Sequence, residues 1–222
     1  MSAQRLAALR GLRGALLVVD VQRSFADPAH LAHLDDDARS RTAAAVARTG
    51  DALALARAAG ADVVWVQLRV PPDQPWPASN WLRGLGPDDP WPNEWEPCVE
   101  GTSGVEWYAL APAPGEPVVP KRTYDGFAGT GLARLLRERG VEWVAIAGLT
   151  SDCCVLETAG SAFTHGLRVV VLADATAAED VRAHEAALLL LSLHSAVVAD
   201  VEAVRALWPP APGARARVAG EE

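Results

Sequence analysis

Six short apolar runs alternate with stretches of helical periodicity along this chain, and that alternation constrains the fold more than any other feature. The runs are Gly14–Asp20 (G-A-L-L-V-V-D), Asp62–Leu68, Pro117–Val119, Glu142–Ala147, Leu167–Leu172 and Ser195–Ala199. Continuous apolar character with β-branched residues marks strands covered on both faces. Helical spacing fills roughly Asp36–Ala59, Gly131–Arg139, Cys153–His165 and Ala178–Leu193, with Gly60, Gly140 and Gly166 where helix ends belong. The pattern predicts an α/β fold: a doubly wound, six-stranded parallel sheet in three α-β-α layers. Such a sheet presents its site beyond the C-terminal strand ends, near the point where strand order reverses.

The 222 residues suffice for one domain with a sizeable core, and 1–222 reads as such. A net charge of −8 leaves no strongly basic patch, so nucleic acid is not an expected partner. No apolar run approaches the ~20 residues of a membrane span, and Ala15–Val19 is too short for a signal-peptide core. Three cysteines, two of them adjacent, do not make a disulfide framework. A cytoplasmic location is therefore expected. Residues 71–117 break the alternation, holding eleven of the sixteen prolines and five of the eight tryptophans. Proline excludes them from helix interiors and central strands, so an ordered excursion of loops and short turns is expected there. It reads either as a packing flap or subunit contact, or as a pocket wall that sets substrate choice. The tail at 209–222 reads as a flexible end.

Three residues stand where a parallel sheet would carry chemistry. Asp20 ends the first strand after five apolar residues; it either caps a turn or is a partly desolvated carboxylate able to act as a base. Lys121 follows P-V-V-P at the end of the third strand, and it is the single lysine beside nineteen arginines. A position that keeps lysine against such a bias needs a compact ammonium rather than a guanidinium, unless it is one solvated survivor. Cys154 lies in G-L-T-S-D-C-C-V-L-E-T-A, in the first turn of a helix. It is either a small buried residue or a thiol whose pKa is lowered by the helix N-terminus and a nearby ammonium. Cys153 would point about 100° away round the helix, so only one of the pair would face the site. Thiolate, carboxylate and ammonium at one edge suit acyl transfer. The histidines stand in loops, on helices or near strand starts, and each reads as structural or solvated. A nucleotide- or flavin-binding protein would show a glycine-rich loop after the first strand, where D-V-Q-R-S-F has none.

The pattern resembles the isochorismatase-like superfamily of cysteine hydrolases, over roughly residues 13–201. D-x-Q-x-x-F after the first strand is matched by Asp20, Gln22 and Phe25; K-R-T-Y-D-G-F places Lys121 and Phe127 in register; G-x-x-T-[ND]-x-C-V is matched at Gly148, Asp152, Cys154 and Val155. The resemblance implies Asp20, Lys121 and Cys154 as catalytic triad, a cis peptide at Leu149–Thr150, and an oxyanion hole from the amides of Thr150 and Cys154. It also implies that Phe25, Gln22 and Phe127 contact substrate. Apart from the resemblance, Trp76, Trp81, Trp91, Trp95 and Trp107 of the excursion suggest an aromatic wall for a flat or cationic ligand, with Trp81 a candidate substrate contact.

Ser151 replaces the family's usual threonine, and Asp125–Gly126 stands where Ser-Ala is common. The nicotinamidase branch carries a D-x-H metal signature after the second strand; Q-L-R-V-P-P stands here, so no metal and no cofactor are expected. Isochorismatases proper lack the cysteine, which places vinyl-ether hydrolysis second. The closer match is to metal-free amidohydrolases resembling N-carbamoylsarcosine amidase. Cleavage of a C–N amide or ureido bond in a small molecule is therefore expected, by a homodimer or homotetramer. A non-catalytic binding protein on the same fold is the rival.

Overall fold

The structure is a computed structural model that describes residues 2–72, 76–86 and 96–209. In chain order the elements are α1 (Ser2–Ala7), β1 (Gly14–Val19), α2 (Arg23–Ala26), α3 (Asp36–Ala59), β2 (Asp62–Leu68), α4 (Pro77–Leu82), a 3-10 turn (Ser103–Val105), β3 (Val118–Lys121), α5 (Leu132–Glu138), β4 (Trp143–Leu149), α6 (Cys154–Thr164), β5 (Arg168–Ala177), α7 (Val181–His194), β6 (Val197–Ala199) and α8 (Val201–Val204). The six strands form one sheet in the order β3-β2-β1-β4-β5-β6, with every pairing parallel.

Alternate side chains of each strand feed opposite layers, as the pleat requires. Leu16 and Val18 of β1 join Trp65, Trp143 and Val170 against α3 residues Val46 and Leu53. Ala15, Leu17 and Val19 join Val64, Ile146 and Val171 against Leu132 of α5, Val155 and Ala159 of α6, and Leu191 of α7. Both faces are covered, which explains why the strands read as unbroken apolar runs. The long α3 begins where the Asp35 carboxylate accepts the Ala38 amide at 2.7 Å, and ends at Gly60, whose φ of 66° suits glycine.

Three features differ from the sequence reading. The short α1 and the turn after it seat Leu6 and Leu9 on the core ahead of β1. The proline-rich excursion holds a real helix, α4, with Pro77 in its first turn, where proline's missing N–H costs nothing. β5 runs on to Ala177, because a register shift in its pairing with β4 between Ile146 and Gly148 carries the ladder through Thr176 and Ala177. No described helix is long and apolar enough to cross a membrane. Apart from Pro209, the tail lies outside the described residues.

The chain winds outward from β1 to β2 and β3, then returns past β1 to β4. The switch point therefore lies between β1 and β4. The backbones leave no room for a side chain there: a Cβ on Gly148 would sit 1.9 Å from the Val19 carbonyl oxygen, and the Gly148 φ of 114° is one that side-chain-bearing residues rarely adopt.

Candidate active site

Asp20, Lys121 and Cys154 meet at this edge. Asp20 ends β1 in the left-handed region (φ 49°), a conformation aspartate tolerates better than most residues. That turn sends its side chain along the strand ends. Oδ1 accepts the Leu68 amide at 2.8 Å, and Oδ2 lies 2.7 Å from Lys121 Nζ. Lys121 ends the outer strand β3, and its long stem reaches inward past β2. Its ammonium donates to the Thr123 carbonyl at 3.0 Å and to Cys154 Sγ at 3.2 Å, and forms an ion pair with the Asp20 carboxylate. Neither the Lys121 nor the Asp20 side chain has solvent exposure. Burial pushes the lysine pKa down, but Asp20 and Cys154 outweigh it, and the net shift is upward. The group stays charged.

Cys154 opens α6 and is buried. Its thiol pKa lies well above the ordinary value, opposite to the lowered-pKa alternative of the sequence reading. The neighbouring Cys153 side chain is the largest cause, followed by burial and the Asp20 charge; Lys121 opposes them. These causes favour the thiol over the thiolate at Cys154. Cys153 does not point away, as a helical projection predicts. With φ −135° and ψ −93° it stands outside the helix at the N-cap, and both cysteines line one cavity.

The Leu149–Thr150 peptide bond is cis. The Thr150 carbonyl accepts the amides of Cys153 at 3.3 Å and Val155 at 3.0 Å, tying the turn to the start of α6. Thr150 itself lines the cavity.

Of the four residues expected to contact substrate, Phe25 lines that cavity. Gln22 is fully buried and spends its amide on backbone: it accepts the Leu68 amide and donates to the carbonyls of Leu68 and Val105, each at 2.9 Å. It braces the strand end that presents Asp20. Phe127 is directed into the core and stacks on His165 with centroids 4.9 Å apart. The reason is the preceding glycine, whose amide donates to Thr158 Oγ1 at 3.0 Å and docks the loop on α6. Trp81 is 78% exposed and lies outside the cavity lining. Its short helix turns Trp76 and Ser79 inward instead.

Tyr124 and Glu96 of the cavity escaped the sequence reading. Tyr124 packs edge-on against Trp76 (centroids 5.3 Å apart); its signal was present, three residues after Lys121. Arg83 and Glu96 form an ion pair in the wall, Arg83 across from a nearly buried carboxylate. Burial raises the Glu96 pKa, and Arg83 opposes the rise. Trp107 packs against Trp65 in the core, whereas Trp91 and Trp95 lie outside the described residues. Among the described residues, no group of three or more His, Cys, Asp or Glu side chains is arranged to hold a metal ion.

The isochorismatase domain model matches residues 14–203. The chain is 33% identical over 201 residues to ureidoacrylate amidohydrolase RutB of Methylobacterium radiotolerans, covering 84% of this chain and 72% of that protein. It is 37% identical over 187 residues to a streptothricin hydrolase of Streptomyces noursei, covering 82% of this chain and 61% of that one. Among solved structures, N-carbamoylsarcosine amidase from Thermoplasma acidophilum superposes with a TM-score of 0.68 at 26% identity, over 86% of this chain and 98% of that chain.

Proposed function

The chain belongs to the isochorismatase family, and from that premise we propose that it is a cysteine-dependent amidohydrolase. It cleaves a C–N amide or ureido bond of a small molecule through a thioester. The observation that carries this reading is the position of Lys121 Nζ, 2.7 Å from Asp20 and 3.2 Å from the Cys154 sulfur in a site closed to solvent.

The raised thiol pKa decides how the nucleophile forms. A preformed thiolate is disfavoured, so the proton must leave as the sulfur attacks, and Asp20 is the base that takes it. Lys121 holds the carboxylate in place and stabilises negative charge as it develops on sulfur. The carbonyl oxygen of the tetrahedral intermediate is received by the amides of Thr150 and Cys154, a donor pair of the kind that stabilises oxyanions. Collapse breaks the C–N bond, and Asp20 returns the proton to the departing nitrogen. Water, deprotonated by Asp20, then cleaves the thioester. RutB is an amidohydrolase of ureidoacrylate by name, and the structural neighbour acts on N-carbamoylsarcosine by name. Both are ureido compounds, which supports the same bond type here.

The test is ammonia release across a panel of small amides and ureides that includes ureidoacrylate and N-carbamoylsarcosine. The Cys154→Ala protein is the blank, and intact mass is followed for an acyl adduct. Turnover by wild type, with an adduct absent from the variant, is expected. Equal ammonia release by the two proteins would sink the mechanism.

A further inference from the structure

A serine–histidine pair is anchored in the proposed oxyanion turn itself. Ser151 Oγ is 2.9 Å from Nδ1 of His184, which projects from the first turns of α7. Two groups at that distance are the geometry of a base-activated nucleophile, but this serine is fully buried and does not line the cavity. It cannot reach a substrate. What it does reach is the turn. The Ser151 amide donates to the Ala177 carbonyl at 2.9 Å, so both its backbone and its side chain are tied to elements beyond β4. The next residue back, Thr150, supplies one proposed oxyanion donor.

We propose that His184 is a positioning residue: its unprotonated Nδ1 accepts the Ser151 hydroxyl, and this bond holds the Thr150–Cys154 turn in register for the oxyanion. The proposal rests on the assignment of the Thr150 and Cys154 amides as oxyanion donors. It assigns a role to a histidine far along the chain, and it gives Ser151 a purpose that a fully buried hydroxyl needs. Burial lowers the His184 pKa, favouring the neutral acceptor form. The charged groups that act on the ring are Glu185 on its own helix and Asp152 in the turn, which raise it, and Arg41 on α3, which lowers it. Protonation would convert Nδ1 from acceptor to donor and break the arrangement.

The test compares His184→Ala, His184→Asn, Ser151→Ala, Ser151→Thr and the double alanine variant in two assays. In the first, kcat and KM for ammonia release are measured on any amide the wild type turns over. The alanine variants are expected to lose roughly 10–100-fold in kcat, the scale of a misaligned catalytic donor, with KM within about twofold. The double variant should be no worse than the poorer single, because the two residues act as one unit. His184→Asn and Ser151→Thr keep an acceptor and a hydroxyl and should recover most of the rate. An acid limb of kcat seen in wild type should vanish in His184→Asn. Losses that multiply, a KM effect alone, or an acid limb that persists would overturn the proposal.

The second assay needs no turnover. Propionaldehyde adds to the Cys154 thiol: an S–C bond forms, the C=O π bond opens, and the thiol proton ends on the oxygen, which occupies the oxyanion position. Affinity is read by protection of Cys154 against iodoacetamide. Weakening of roughly tenfold in both alanine variants supports the positioning role even if no amide is a substrate; unchanged affinity removes it.

Discussion

Lys121 and Asp20 form an ion pair of 2.7 Å in which neither side chain touches solvent. A buried charge pair is costly to make and more costly to break, since removing one partner strands the other in a medium that cannot solvate it. The third member of the contact, Cys154, adds a soft acceptor at 3.2 Å. The lysine thus joins two strand ends and a helix start at the switch point.

Replacing Lys121 with methionine should destabilise the fold by about 3–5 kcal/mol, the scale for a broken buried pair. Lys121→Arg should keep the charge yet lose turnover by more than about 100-fold. A planar guanidinium cannot meet Asp20, the Thr123 carbonyl and sulfur within the space of one ammonium. Urea denaturation and ammonia release check the two halves. Asp20→Asn combined with Lys121→Met should recover part of the lost stability, because no unpaired charge is left behind.

The two cysteines should separate cleanly. Cys154→Ala abolishes turnover, while Cys153→Ala retains most of it. The neighbouring Cys153 side chain is the largest cause of the raised Cys154 pKa. Its removal lowers that pKa and enlarges the thiolate fraction at a given pH. Alkylation of Cys154 by iodoacetamide, followed by mass spectrometry from pH 7 to 10, should therefore be faster in Cys153→Ala than in wild type. In wild type the rate should still be climbing above pH 9. A wild-type rate that levels off near neutrality contradicts the direction of the shift.

How far the site was legible in the sequence follows from the same geometry. In a parallel sheet all strands end at one edge, so residues ending the first and third strands and opening the helix after the fourth converge whatever the loops do. That, with the singular lysine, brought Asp20, Lys121 and Cys154 together on paper. Side-chain direction in the loops was not legible. Whether Gln22 faced substrate or backbone depended on the unpaired polar groups at the end of β2. Whether Phe127 or Tyr124 entered the cavity depended on the docking of Gly126 against Thr158. The helical projection of Cys153 failed because an N-cap residue does not follow helical spacing. The link between His184 and Ser151 spans 33 residues and two elements, and no local pattern announces it.

Gly148 of β4 leaves no room for a side chain against Val19 of β1, and Gly148→Ala tests how tightly the switch point is built. The added methyl would overlap the Val19 carbonyl at 1.9 Å, on a backbone whose φ of 114° is already strained for alanine. Strain and overlap together should cost about 2–5 kcal/mol. Gly166→Ala is the control: its φ is also positive at 83°, but nothing lies within 4 Å of the added carbon. Its loss should be the conformational part alone, about 1–2 kcal/mol. Thermal midpoints of the two variants should differ accordingly; equal midpoints would mean that β1 and β4 can part without cost.

The Arg83–Glu96 pair carries a pH signature. Burial raises the folded-state pKa of Glu96 above its unfolded value, and Arg83 is the group that restrains the rise. A carboxylate with a raised folded pKa binds its proton more tightly in the native state. The stability this gives is fully present below the unfolded pKa and is lost as pH climbs through the folded one. Arg83→Met removes the restraint, so the folded pKa moves further up and the window widens. The variant should lie closest to wild type in stability near pH 4.5 and fall progressively behind it up to pH 7. Adding Glu96→Gln, which cannot ionise, should flatten that divergence. Thermal midpoints of the three proteins between pH 4.5 and 7 provide the check; a constant offset between Arg83→Met and wild type would mean that Glu96 does not titrate against Arg83.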